Sequence, residues 1–177
     1  MTREQLEHLI RAAAVLVNDE EIVVIGSQSI LGQFPTAPAS MRVSVEVGLI
    51  PLNHPERADL IGGSIGELSP FHDTFGYYAQ GVGEETARLP QGWKERLVVI
   101  QNNNTRGAKG LCLEIHDLLV SKVIAGREKD FAFLNEAAKH CMADAGTLFQ
   151  RLATVEGDPA VLEKARIAIA TAFYGVE

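Results

Sequence analysis

Three stretches of the chain carry residues whose types and spacing bear on chemistry. In "VVIGSQSILGQF", residues 23–34, an apolar run meets a Gly26-Ser27 pair before a short helix-like stretch. Glycine there lets the backbone come close to a ligand, and a serine can hold a phosphate oxygen. The stretch reads either as a nucleotide site or as a tight turn. The second stretch follows Asp117. On one continuous helix, Lys122 and Lys129 lie about 20° apart, within an arc shared with Leu118, Leu119, Ala125, Gly126 and Phe133. Val120, Ile124, Phe131 and Leu134 form an opposite arc, so this helix is apolar nearly all round and is expected to be buried. Buried ammonium groups need anionic partners. Either both lysines point at a bound anion such as a phosphate chain, or Lys122 stretches to solvent while Arg127 and Asp130 pair at the surface.

The third group comprises carboxylates and histidines. Asp59, Glu67, His72, Asp73, Glu114, His116 and Asp117 are candidates by residue type. Glu114 falls at the end of an expected strand, three residues before an expected helix cap at Asp117. His72-Asp73 reads as a loop turn between Phe71 and Phe75, held by side-chain-to-backbone hydrogen bonds. His116 and Asp117 are explained by local bonding and capping. No His/Cys cluster has zinc spacing. No Gly-x-Ser-x-Gly elbow and no glycine-rich phosphate loop of the standard patterns occurs.

These residues need elements to hold them. Thr2 and Gln5 have the spacing of a capping box and open a helix to about Val17, with Leu6, Leu9, Ile10 and Ala13 as its apolar stripe. From Glu21 to Ile115 the pattern is α/β. "EIVVIG" reads as a buried strand. "RVSVEVGLI" reads as a half-buried one, with Val43, Val45, Val47 and Leu49 alternating against Ser44, Glu46 and Gly48. "ERLVVIQ" and "GLCLEI" are strands joined by the hairpin loop "QNNNTRGAKG". From Asp117 onward the chain is helical, with caps at Asp117, Asp144 and Asp158, the last followed by Pro159 in the first helical position. The expected organisation is an α/β core over residues 1–116 and a helical segment over 117–177, packed as a single unit.

The chain has 177 residues, 46% hydrophobic and 22% charged, which fits one globular core. No apolar run approaches the roughly 20 residues that span a bilayer, and the start "MTREQLEHLI" lacks a secretory layout. Cys112 and Cys141 have no metal spacing and read as small core residues in a reducing cytoplasm. A formal charge of −7 opposes a broad nucleic-acid surface while allowing a local basic pocket.

A strand ending in "IGSQS", followed by a strand with acidic residues at alternate positions, resembles the opening of the nucleotidyltransferase fold. "GELSPFHDTFGYYAQGV", "LPQGWKERLV" and "CLEIHDLLVSKVIAGREKD" are similar to bacterial domains grouped with abortive-infection nucleotidyltransferases, which include toxins of toxin–antitoxin pairs. The resemblance covers about Glu21 to Asp130. It implies a mixed sheet with flanking helices and a helical C-terminal segment. It implies that Gly26 and Ser27, with Ser29 beside them, hold the terminal phosphates of a nucleotide. It also implies that Lys122 and Lys129 neutralise the triphosphate and that Asp130 supports the site.

The resemblance also implies an Asp-x-Asp strand whose two carboxylates bind Mg²⁺. Here the matching residues are Glu46 and Gly48. Carboxylates at i and i+2 on a strand face the same side. Gly48 supplies none, and Glu46 moves the charge out by about 1.5 Å. Mg²⁺ wants close to octahedral geometry at about 2.1 Å, so Glu46 alone would make a weak metal site. Three readings follow. One is a degenerate member that keeps the phosphate cradle and binds an NTP. Another is an active, Mg²⁺-dependent enzyme moving NMP to RNA or protein, with Glu46, Lys122 and Asp130 in catalytic roles. The third is a non-catalytic module whose acidic surface meets a partner, an antitoxin or a second copy.

Overall fold

Thr2 opens α1 (Arg3–Val17) with the expected capping box: its hydroxyl accepts from the Gln5 amide, and the Gln5 side chain accepts from the Thr2 amide. This computed structural model describes residues 1–175, and the chain divides into two units. The first comprises Met1–Thr86 and Leu97–Leu113, the second Ala87–Arg96 and the chain from Glu114 onward.

In the first unit α1 buries Leu6, Leu9, Ile10 and Ala13. It leads into β1 (Glu21–Ile25), a short turn, α2 (Ile30–Gln33), β2 (Glu46–Pro51), α3 (Ala58–Ile65), α4 (Pro70–Phe75), β3 (Tyr78–Gly81), β4 (Val98–Ile100) and β5 (Lys109–Cys112). The strands form one mixed sheet in the order β3-β2-β1-β5-β4. β1 runs antiparallel to β2 and parallel to β5. β2 is parallel to β3, and β4 and β5 form the expected antiparallel hairpin. The α/β class is therefore as the pattern implies, and the mixed sheet is as the resemblance implies.

Buried carboxylates fix the loops. Asp19 accepts from the backbone of Glu21, Asn53 and His54 and from the Asn53 side chain, tying the end of α1 to the end of β2. Glu7 accepts from Asn102, Asn104 and Arg3, so the asparagine-rich hairpin loop is fastened to α1. Burial pushes both carboxyls up, but these donors outweigh it and hold each below the ordinary carboxylate value.

The second unit contains α5 (Ile115–Ala125), α6 (Glu128–Lys139), α7 (Ala145–Leu152) and α8 (Pro159–Tyr174). Asp144 and Asp158 cap α7 and α8 as expected, accepting from Thr147 and Ala160. The segment Ala87–Arg96 is fastened to these helices. Arg96 grips Asp117 through two hydrogen bonds of 2.9 Å, and the Gln91 amide donates to Thr154.

Several expectations are corrected. The second strand begins at Glu46, not Arg42. Val43 and Val45 are exposed, because residues 42–45 form a loop in which the Ser44 hydroxyl closes on the Glu46 carbonyl. Asp117 caps nothing. Glu114 is the N-cap of α5, accepting from the His116 amide, while Asp117 is buried within the helix against Arg96 and Arg151. His72 and Asp73 lie on α4, capped by Ser69, and not in a loop. Cys112 is buried but Cys141 is exposed.

The largest correction concerns the lysine-bearing helix. Gly126 takes a left-handed conformation, φ +68°, and ends α5. A new helix begins at Glu128. Lys122 and Lys129 thus belong to different helices, and the shared arc that placed them on one face does not exist.

Candidate functional site

The turn between β1 and α2 is built around Gly26. Its φ of +77° and ψ of −170° place it in a region that is essentially glycine-only. The Ser29 amide and hydroxyl both donate to the Gly26 carbonyl, at 3.1 and 2.7 Å, so Ser29 is buried and spends its proton closing the turn. Gly26 is exposed and Ser27 half-buried. Gln28, between the two serines, is buried, and among the described residues neither its amide nitrogen nor its oxygen has a hydrogen-bond partner.

Strand register brings Glu46 to this turn. Ile25 at the end of β1 is paired with Gly48 of β2, so the chain leaving β1 through Gly26 and Ser27 runs toward the Glu46 end of β2, and β2 touches the turn. Gly26, Ser27 and Glu46 therefore share one end of the sheet. Glu46 is exposed and pairs with Tyr78 in the parallel β2–β3 register. The Tyr78 hydroxyl donates to Glu46 Oε2 at 3.3 Å. The His72 ring packs against Tyr78 at a tilt of 50°, with centroids 4.5 Å apart. Burial, then the charges of Glu46 and Glu67, push the Tyr78 phenol above its ordinary value. Glu67, a candidate by type alone, thus stands close enough to act on the same phenol.

Position 48 faces the same side as Glu46. A Cβ there would meet Ile25 Cγ1 at 3.0 Å and Val82 Cγ2 at 3.4 Å. The nearest neighbours of that position are apolar side chains, and Gly48 itself supplies no carboxylate. Among the described residues no group of three or more His, Cys, Asp or Glu side chains could hold a metal ion. The residues present do not fit a two-carboxylate Mg²⁺ site, and no step is derived through one.

In the second unit a buried ion cluster joins α5 to the start of α6. The Lys122 ammonium is buried, donates to Asp130 Oδ1 at 3.1 Å and lies 4.4 Å from the centre of the Phe133 ring. Asp130 is fully buried and also accepts from Arg127 Nε at 2.6 Å and Nη2 at 3.2 Å. The Arg127–Asp130 pair was expected at the surface, but only its arginine end is there. Lys122 is neither a surface-seeking chain nor one without an anion. Lys129 is exposed. Burial lowers the Lys122 ammonium from its ordinary value, and the Asp130 bond only partly offsets this. Asp130, with two cations, stays below the ordinary carboxyl range despite burial.

A second network in this unit was not anticipated. Glu114 accepts from His116 Nδ1 at 2.6 Å and from Arg151, and Arg151 also reaches Asp117 at 3.0 Å. His116 Nε2 accepts from the Asp144 amide at 2.9 Å. Burial pushes the Glu114 carboxyl up, while His116 and Arg151 outweigh it and hold it low. The i, i+3 spacing of Glu114 and Asp117 signals one acidic helix face, but nothing local in the sequence identifies Arg96 and Arg151 as its partners.

Among the described residues no helix is long and apolar enough to cross a membrane. No curated protein and no solved structure matches the chain. A family model described as a nucleotidyltransferase of unknown function (DUF6036) matches residues 4–158, from α1 to the cap of α8, and the chain belongs to that nucleotidyltransferase family.

Proposed function

We propose that this chain is a nucleotide-binding member of its family whose metal grip has weakened. The phosphate chain of an NTP is held at the Gly26-Ser27 turn, by backbone amides and the Ser27 hydroxyl. The observation that carries this reading is the environment of position 48. Apolar side chains of Ile25 and Val82 crowd the Cα of Gly48, which supplies no carboxylate, and Glu46 accepts from the Tyr78 hydroxyl. Nucleotidyl transfer depends on metal and cationic stabilisation of a charge-rich transition state. A single half-engaged carboxylate supports binding better than turnover.

One observation favours the second reading, an active enzyme transferring NMP to RNA or protein. The charge of Glu67 raises the same phenol as that of Glu46, so a second carboxylate acts at Tyr78. The two readings separate in one titration series. ATP, GTP, CTP and UTP are titrated calorimetrically with and without Mg²⁺, in the parent and in Ser27→Ala, Glu46→Gln and Glu67→Gln. The binding reading expects heat without metal, lost in Ser27→Ala and kept in both Gln variants. The active reading expects binding only with Mg²⁺, lost in both Gln variants, together with NMP transfer to an RNA or protein acceptor. Absence of heat from all four nucleotides at millimolar concentration defeats both.

A further inference from the structure

The sequence of α8 is mostly apolar, yet of its 16 residues only Ala165 and Ile169 are buried. Between α7 and α8 an open groove of about 550 Å³ is lined by Phe149, Leu152, Val155, Pro159 and Leu162. The two charged side chains along it, Glu163 and Arg166, pair with each other through hydrogen bonds of 2.8 and 2.7 Å.

Glu163, Arg166, Ile167, Ala170 and Tyr174 recur at three- and four-residue steps, so they share one side of α8, within an arc of about 100°. Ile167 is 51% exposed and Tyr174 62%. The Tyr174 ring stacks on Phe149, a residue of the groove, with centroids 6.4 Å apart and planes 19° from parallel. Groove and exposed side are therefore one continuous surface. Lys164 lies off it, its ammonium 5.7 Å from the centre of the Phe131 ring on α6. Within the arc stand one carboxylate and one guanidinium, each about half exposed.

We propose that this side of α8 pairs with the same side of a second copy, the two helices antiparallel about a two-fold axis between Lys164 and Ala165, so that Glu163 of each protomer meets the partner's Arg166. The argument for the occupant is charge complementarity. A face with one Glu and one Arg has no net sign to draw a polyanion or a polycation, but turned through half a rotation it is its own electrostatic match. The register that pairs these charges also sets Pro159 against the partner's Ala170. It brings Tyr174 level with the partner's Val155, at the groove, where a large aromatic side chain serves as an anchor.

The test is sedimentation equilibrium of the full chain. The seam is one helix long, less than the roughly 800 Å² per partner of a standard interface, so half-dimerisation is expected at about 10–100 µM. Mass should rise with concentration from 19.2 kDa toward twice that value. Ile167→Asp is expected to weaken the dimer at least about tenfold. Glu163→Arg and Arg166→Glu should each remain monomeric, because like charges then face each other across the axis. An equimolar mixture of these two variants should dimerise, since only in the mixed pair does every residue meet its opposite. Mixing alters no contact within either helix, so recovery cannot come from a repaired fold. The proposal is overturned if the parent keeps its monomer mass at about 500 µM, if the single variants associate as the parent does, or if their mixture stays monomeric. Growth beyond a dimer would mark a head-to-tail contact and overturn it as well.

Discussion

The Asp130 cluster and the Glu46 edge both carry charges singled out by type and spacing, yet the structure treats them oppositely. Asp130 is fully buried, with Lys122 and Arg127 both bonded to it and Phe133 against the lysine. Glu46 is exposed, with one bond of 3.3 Å from Tyr78. Residue type ranks candidates for chemistry, but burial and pairing decide which of them is available for a ligand. The Lys122 ammonium is committed to holding α5 to the start of α6, whereas the Glu46 carboxylate is exposed and the Gly26 backbone beside it faces solvent.

The largest expected effect tests the structural side of this contrast. Asp130→Ala leaves the Lys122 ammonium buried without its carboxylate and should lower the unfolding free energy by about 3–5 kcal/mol, read from urea denaturation. Replacing both partners, Lys122→Met with Asp130→Leu, should recover much of that loss, because paired apolar substitution removes both desolvation costs. A loss below about 1 kcal/mol in Asp130→Ala, the range of exposed pairs, would break the comparison. The pH dependence follows from the direction of the Asp130 shift. Burial raises its carboxyl, and the Arg127 and Lys122 bonds and charges more than reverse this, so the folded value lies below the unfolded one. The resulting stability is fully present above the unfolded value of about 3.9 and is lost as pH falls through the lower folded value. Asp130→Ala should therefore flatten the acid limb of the stability–pH curve.

The next effect tests the other side. Gly26→Ala meets no atom within 4 Å, so its whole cost is backbone strain at φ +77° and ψ −170°, about 1–3 kcal/mol. It should also abolish any rise in Tm on adding ATP, since the amides of the turn can no longer hold their positions. Gly63→Ala is the matched control. It too meets no atom within 4 Å, but it sits inside α3 without positive φ, so it should stabilise by about 0.5–1 kcal/mol and leave the ATP response alone. Differential scanning fluorimetry with and without ATP reads both. An ATP response that survives Gly26→Ala would remove the turn from the binding site.

Much of this layout was legible because its signals are local. The capping box at Thr2 and Gln5, the caps at Asp144 and Asp158, the buried β1 and the β4–β5 hairpin each depend on a few neighbouring residues. The failures had one common cause. Alternation extended the second strand back to Val43 because an exposed valine in a loop has the same letter as a buried one in a sheet. The helical wheel ran through Gly126 because apolar periodicity continued on both sides of a left-handed residue that ends α5. Asp117 looked like a cap because an acidic residue before an apolar run usually is one; what it does instead depends on Arg96 and Arg151, remote in sequence. At the candidate site, the glycine at position 48 could be read directly. The Tyr78 bond to Glu46 could not, since β3 and its register with β2 have no local signature.

The smallest expected effect concerns Gln28, the residue that sets the turn apart from the paired charges of the helical unit. Its amide nitrogen and oxygen are buried and, among the described residues, have no hydrogen-bond partner. A buried amide left unsatisfied costs about 1–3 kcal/mol, and replacing it by an apolar group of similar shape is close to neutral or stabilising. Methionine matches glutamine in length and lack of branching, so Gln28→Met should keep stability within about 1 kcal/mol of the parent, on the favourable side. A clear loss would mean that the amide is satisfied in solution, most simply by a bound water, and that the turn is a polar, hydrated element. The ATP response then decides the rest. If Gln28→Met is stable but no longer responds to ATP, the amide belongs with Gly26 and Ser27 as part of the ligand's grip. If the response is intact, the nucleotide does not need the buried amide, and the contrast between committed and available groups narrows to Gly26 and Glu46.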